Sequence, residues 1–357
     1  MSIDLGAGSI TTDAQHDQTR IAIAVTLIPI FFVTMFATCI IGAYHKPDPN
    51  NIKIGVVGPP ALTAQLRAGI AQAGGSAVKV TPVDTLGAAQ RAVGRRDLNA
   101  AFLPTADPTQ PMTLIIASAN GRIVAAAVES FARIAAAHQG GQIAVDDVRP
   151  VTPGDAIGIG IFMFIIVCTI CGYLTVTLLF SAAPGLAPLR RFASISGVSV
   201  AVPVIAYLIG GLGYGTYTGS VGAIFAFLGV ATLYMLIIGA VTRMLQVILG
   251  PPAVFISLTA FVFLNIASLG ATYTSTVLSP FWRFLNQFWI GAEAVNAERT
   301  ILYFHGIGVG GYVLRLLTWA AVAIALLAYP VWRKARRPDD QGFVLTLAGA
   351  EPALSAS

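Results

Sequence analysis

One apolar stretch, residues 21–43, is set apart from a dense series of others by a polar insert running over residues 44–155. The remaining apolar stretches follow in quick succession, at 156–180, 194–213, 221–241, 252–270 and 312–330. Each is near the ~20 residues that a helix needs to cross the hydrocarbon layer. This spacing excludes an ordinary globular enzyme. Composition agrees, since 56% of the 357 residues are hydrophobic and 10% charged, with a mean hydropathy of +0.77, whereas soluble domains carry about 25% charge. The expected fold class is an α-helical integral membrane protein of about six transmembrane helices, with an extracytoplasmic α/β domain (44–155) inserted between the first and second spans. Residues 156–331 form the expected five-helix bundle, and 1–20 and 332–357 the expected cytoplasmic tails.

The first stretch reads as an uncleaved anchor. Its apolar run exceeds a signal-peptide h-region, and Asp4, Asp13 and Asp17 replace a basic n-region. Orientation follows from basic residues near short loops. Arg20, Arg190, Arg191, Arg243, Arg333, Lys334, Arg336 and Arg337 all fall on one side of a six-span chain, which sets both termini in the cytoplasm and the insert outside. These short segments account for much of the net charge of +5, so no nucleic-acid partner is implied.

Within the insert, 51–56, 78–80, 100–103, 112–117 and 143–145 alternate like strands. Leu62, Leu66 and Ile70 line one helical face, Asp84-Thr85 starts a short helix, and Asn120 is placed to cap a longer one burying Val124, Val128, Phe131 and Ala135. The order is β-α-β-α-β-β-α-β. Asp155 stands just ahead of the second span, where a carboxylate suits a helix N-terminus. Glycines throughout the bundle permit close helix approach, while Pro29 and Pro203 are expected to kink their spans.

Chemical motifs are few. There is no G-x-x-x-x-G-K-[ST] and no H-E-x-x-H, and His16, His45, His138 and His305 are scattered. Cys168 and Cys171 form a C-x-x-C deep in an apolar run, where packing explains them better than redox chemistry. No span centre carries Asp, Glu, Lys or Arg, which argues against a proton relay. Arg243 and Arg315 sit near span ends and can snorkel. Asn265 is the best mid-membrane polar group, with an interhelical hydrogen bond as its expected role. No catalytic constellation, metal set or cofactor motif is visible, and no enzymatic activity is expected.

The connection at 276–306 is unusual. Pro280, Phe281, Trp282, Phe284, Phe288 and Trp289 are interrupted by Arg283 and followed by a helix-like run with Glu293, Glu298 and Arg299. It reads either as an aromatic belt or as two short re-entrant helices whose Arg283, Glu293, Glu298 and Arg299 face the bundle mouth.

The run Pro280-Phe281-Trp282, Ala294-Val295, Arg299 and Tyr303-Phe304-His305-Gly306, with Asp155 and Gly172-Tyr173-Leu174, resembles the membrane subunits of type-2 ABC exporters, closest to the phage infection protein-like (YhgE/Pip-like) permeases. Ser279 and Trp289-Ile290-Gly291 depart from that pattern. The resemblance implies an export permease whose segment 182–191, with Arg190 and Arg191, touches a separate nucleotide-binding ATPase. ATP would then enter only through that partner. A topology signal is the plainer role for the two arginines. The leading expectation is a homodimer in a bacterial plasma membrane, moving a lipid, envelope precursor or hydrophobic compound past a gate at 276–306. The alternative is a non-transporting scaffold or receptor that binds a partner through its external domain.

Overall fold

The computed structural model describes residues 26–335 together with Thr19 and Ala22, apart from 47, 106–109, 139–140, 251 and 271–272. Most of both expected tails, including Arg20, Arg336 and Arg337, and the start of the first span therefore lie outside the described residues. So do the side chains of Leu62, Leu66, Ala135, Arg333 and Lys334.

Among the described residues, five helices are long and apolar enough to cross a membrane: α1 (Thr26–Tyr44), then, beyond the insert, Gly160–Ala182, Pro188–Gly213, Val221–Leu249 and Val309–Tyr329. The expected fifth span, 252–270, is instead a shorter apolar helix, Ala253–Ser268. At ~1.5 Å per residue it covers about 24 Å, against ~30 Å of hydrocarbon. Its middle, Thr259–Leu264, is wound as a π-helix, as are Ala37–Ile41 of α1 and Leu208–Gly213.

Between α1 and the next long helix lie five strands and three helices: β1 (Ile52–Val57), α2 (Pro60–Gly74), β2 (Val78–Val83), α3 (Leu86–Gly94), β3 (Ala100–Leu103), β4 (Met112–Ile116), α4 (Arg122–His138) and β5 (Ile143–Asp147). This matches the expected element order. The strands form one sheet in the order β2-β1-β3-β4-β5, antiparallel only between β3 and β4. Pro82, which cannot donate to a ladder, sits on the edge strand β2. One sheet face buries Ile54, Val56, Phe102, Leu114 and Ile116 under α2 and α4. The other buries Val57, Ala101 and Ile115 with Ala89 and Val93 of α3, and closes over Phe304.

Local capping sets the boundaries. Thr85 Oγ1 accepts from Ala88 N at 3.1 Å and starts α3. Asn120 does not cap α4. It ends a 3-10 turn, Ser118–Asn120, and its side chain is used elsewhere. Phe131 is 48% exposed rather than buried. Asp155 accepts from Ile159 N and Gly160 N, both at 2.9 Å, and so caps α5 (Gly160–Ala182). Burial nonetheless raises the Asp155 pKa, against the lowering effect of these donors.

The remaining helices are α6 (Pro188–Gly213), α7 (Val221–Leu249), α8 (Ala253–Ser268), α9 (Pro280–Asn286), α10 (Ile290–Tyr303) and α11 (Val309–Ala335). α10 is enclosed by α5, α7, α8 and α11. α1 packs on one side only: Cys39 and Ala43 meet Phe263, Ala267, Leu278, Trp282 and Leu285.

Candidate functional site: a cationic cavity above a buried carboxyl

The expected re-entrant residues do not converge on one mouth. Pro280 is exposed at the start of α9, while Trp282 is buried against α1. Arg283 Nη2 reaches the Asp48 carbonyl at 2.9 Å, the Leu278 carbonyl at 2.7 Å and Asp48 Oδ2 at 3.2 Å. It therefore fastens the exit of α1 to the 278–283 segment. Glu293, Glu298 and Arg299 are buried on α10, and of the three only Arg299 reaches the lining of the cavity described below.

α10 is seated by a polar layer built from three other helices. Tyr234 OH and Thr169 Oγ1 are 2.6 Å apart, and Asn265 Nδ2 reaches Tyr234 OH at 2.8 Å and Thr169 Oγ1 at 3.3 Å. Asn265 Oδ1 accepts from Gly291 N at 2.9 Å, in the first turn of α10. Asn265 is thus the interhelical hydrogen-bonding residue that its position suggested.

α10 carries charge into this core. Glu293 Oε1 pairs with Arg315 Nε at 2.6 Å. Glu298 is fully buried, and neither carboxyl oxygen has a hydrogen-bond partner among the described residues. Cys168 of α5 and Tyr217 and Tyr234 lie within its electrostatic reach. α10 is outside the spanning helices, and there desolvation raises the Glu298 pKa well above its ordinary value. The spans themselves carry no central charge, but the helix between them brings in a carboxyl. The sequence singles out Glu298 as a gate residue but does not show its burial, because it lies between apolar runs rather than within one.

Above this layer, α10 meets the insert. Arg96 follows α3 in a left-handed conformation, with φ of 69°, which turns its side chain away from the sheet and across to α10. Its Nε donates to Asn120 Oδ1 at 2.9 Å, Nη1 to Thr300 Oγ1 at 3.0 Å and Nη2 to Asn296 Oδ1 at 2.8 Å. The guanidinium also lies 5.2 Å from the Phe304 ring and 5.9 Å from Tyr312. Because every one of these partners is neutral, the charge is hydrogen-bonded but not cancelled.

Arg96 forms one wall of a cavity of about 270 Å³ between the insert and the bundle. Its basic residues are Lys53, Arg96 and Arg299, and its polar ones include Asn51, Asn99, Asn286, Asn296 and Thr274–Thr276. No carboxylate is among the described lining residues. Burial, reinforced by Arg96, pushes the Arg299 pKa down to about 9, so it stays protonated at neutral pH. Lys53, Arg96 and Arg299 among amides and hydroxyls give the cavity a cationic lining of the kind that can accept an anion. Arg96 and Lys53 were not legible as site residues. The run Arg95-Arg96-Asp97 after Gly94 reads as a solvated turn, and only the left-handed backbone redirects Arg96.

The other expected contact segment lies between α5 and α6. Arg190 is exposed, while Arg191 Nη2 donates to the carbonyls of Ala183 and Pro184 at 3.1 and 2.9 Å and lies 4.2 Å from the Phe180 ring. Arg243 covers the same ring at 3.9 Å. Arg191 therefore shapes its own loop. Cys168 and Cys171 are free, with Cys168 buried. Among the described residues no cluster of His, Cys, Asp and Glu could hold a metal.

Arg96→Ala is expected to loosen the contact between insert and bundle. Three bonds from a charged donor are lost and half-buried amide oxygens are left unpaired, worth roughly 3 kcal/mol. Hydrogen exchange over 290–304 should accelerate, whereas substitution of the exposed neighbour Arg95 should leave it unchanged. Equal exchange in both variants would remove Arg96 from this role.

No family model, curated protein or solved structure matches this chain.

Proposed function

We propose that this chain is a permease-like membrane subunit of an exporter, and that its cationic cavity receives the anionic head group of a lipid or envelope precursor on the extracytoplasmic side. The observation that carries this reading is the cavity of Lys53, Arg96 and Arg299, whose described lining has no carboxylate. It is formed jointly by the insert and α10, so an occupant touches both parts at once. Counting α8 as a short sixth span puts both termini in the cytoplasm, together with Arg190, Arg191 and Arg243. The 182–191 loop then faces a separate ATPase, and Arg190, exposed and free of the loop-shaping bonds of Arg191, is the residue placed to meet it. A homodimer completes this reading. A fixed receptor without transport is the second reading, favoured by the bonds that tie Arg96 to α10.

The test uses the full chain in nanodiscs of phosphatidylcholine alone or mixed with phosphatidylglycerol. Wild-type protein should be stabilised by the anionic lipid, with the gain reduced at least fivefold in Lys53→Gln, whose side chain is exposed. An unchanged gain would sink the head-group reading. Co-purification of an ATPase, lost on Arg190→Glu, separates the exporter from the receptor.

A further inference from the structure

The insert holds a second, chemically opposite cavity. It measures about 420 Å³ and opens between α2, α4 and the sheet, within the 300–1,000 Å³ usual for ligand sites. Its walls include Ile54, Val78, Phe102, Val128, Phe131 and Val277. Domain interiors normally leave few voids larger than a water molecule. Here Ile123 and Phe131 at the opening remain 37% and 48% exposed, an apolar rim without a partner among the described residues.

The two cavities share their boundary. On β1, Ile52 and Ile54 line the apolar cavity while Lys53 lines the cationic one, as the period-two alternation of a strand requires, and Asn51 just ahead of the strand joins Lys53. The connection from α8 to α9 divides the same way: Tyr273 and Val277 line the first, Thr274–Thr276 the second. Backbone bonds from Asp48 N to Val277 O (2.9 Å) and Asn50 N to Thr276 O (2.7 Å) hold this divider in place. A hydrocarbon pocket and a cluster of bases therefore back onto one narrow ridge, next to the ends of two membrane helices, α1 and α8.

We infer that the apolar cavity receives the hydrocarbon chain of an anionic membrane lipid, the head group of which lies toward the cationic cavity. The inference deepens the head-group reading and rests on it for the charge of the lipid, though not for the chain site. A polypeptide suits the cavity poorly: apart from the Tyr273 hydroxyl, the lining side chains offer no hydrogen-bonding group to a buried backbone. A hydrocarbon chain has no such requirement, and the base cluster beside the ridge gives the acidic head group its complement.

The experiment places the full chain in nanodiscs containing phosphatidylglycerol or phosphatidylcholine with a diazirine in one acyl chain, irradiates them and maps the labelled peptides. Label is expected on Arg122–His138 as well as on the spanning helices. Ala127→Trp, at an exposed position on the cavity wall, should reduce the α4 label at least tenfold while label on Val221–Leu249 stays constant. Ala127→Asp, which cannot overpack the site, should do the same. The proposal is overturned if α4 is unlabelled or if both variants leave its label unchanged. Equal α4 labelling by the two lipids would retain the chain site and overturn its pairing with the cationic cavity. Preference for phosphatidylglycerol that disappears in Lys53→Gln supports both.

Discussion

Gly291→Ala is expected to destabilise the protein by roughly 3 kcal/mol, because added bulk and a lost buried hydrogen bond act together. A Cβ at this position would lie 2.1 Å from Asn265 Oδ1 and 2.6 Å from Leu269 Cδ2. Asn265 cannot simply turn aside, since its amide nitrogen is committed to Tyr234 and Thr169. α10 must therefore back away from α8, breaking the Gly291–Asn265 bond. Gly222→Ala is the matched control: its Cβ meets nothing within 4 Å, and removing glycine flexibility there should be neutral or mildly stabilising. Thermal unfolding in detergent distinguishes the two. Similar midpoints for both variants would mean that α10 is not seated through this layer.

Glu298 should make stability fall as pH rises. Its folded-state pKa is raised above the ordinary 4.5 by burial. The carboxyl's contribution is therefore complete below that value and is lost as pH climbs toward the folded pKa, at up to about 1.4 kcal/mol per pH unit. Glu298→Gln keeps the shape and removes the titration. It should match wild type near pH 5, exceed it at pH 8 and show a flatter profile. Other buried acids, including Asp155 and Glu293, titrate in both proteins and cancel in the difference. An identical pH slope for wild type and variant would falsify this assignment. Glu298→Lys, with a charge that cannot be neutralised so readily, should prevent correct assembly of the bundle.

The contrast between these residues explains what the sequence could reveal. The strands of the insert were legible because β1 alternates Ile52, Ile54 and Val56 against Lys53 and Gly55, a period that only a half-buried strand satisfies. Thr85 and Asp155 were legible because capping is local chemistry. Asn265 stood out as a lone amide in an apolar run. Arg96, Asn120 and Lys53 were not legible, since a turn residue, an expected cap and an exposed strand residue become one cavity wall only through contacts up to 204 positions apart. The burial of Glu298, which the sequence places at a gate, was hidden differently. Its helix is too mixed to read as a span, and it is buried because its neighbours, rather than its own composition, exclude water. Phe131 was misread for the converse reason: helical periodicity assigned it to a buried face, but the opening between α2 and α4 leaves that side of the helix partly uncovered.

The one-sided packing of α1 has a consequence in time. Its partners Phe263 and Trp282 are made about 220 residues after it, roughly 10–40 s later at ordinary rates of synthesis. Until then the helix must persist in the bilayer without them. Its hydropathy of 2.1 across Thr26–Tyr44 suits it to wait alone. The shorter α8, by contrast, arrives when α1, α5 and α7 are already present to receive it. α1 thus emerges before the helices it packs against, while the short α8 emerges into a structure that can shelter it.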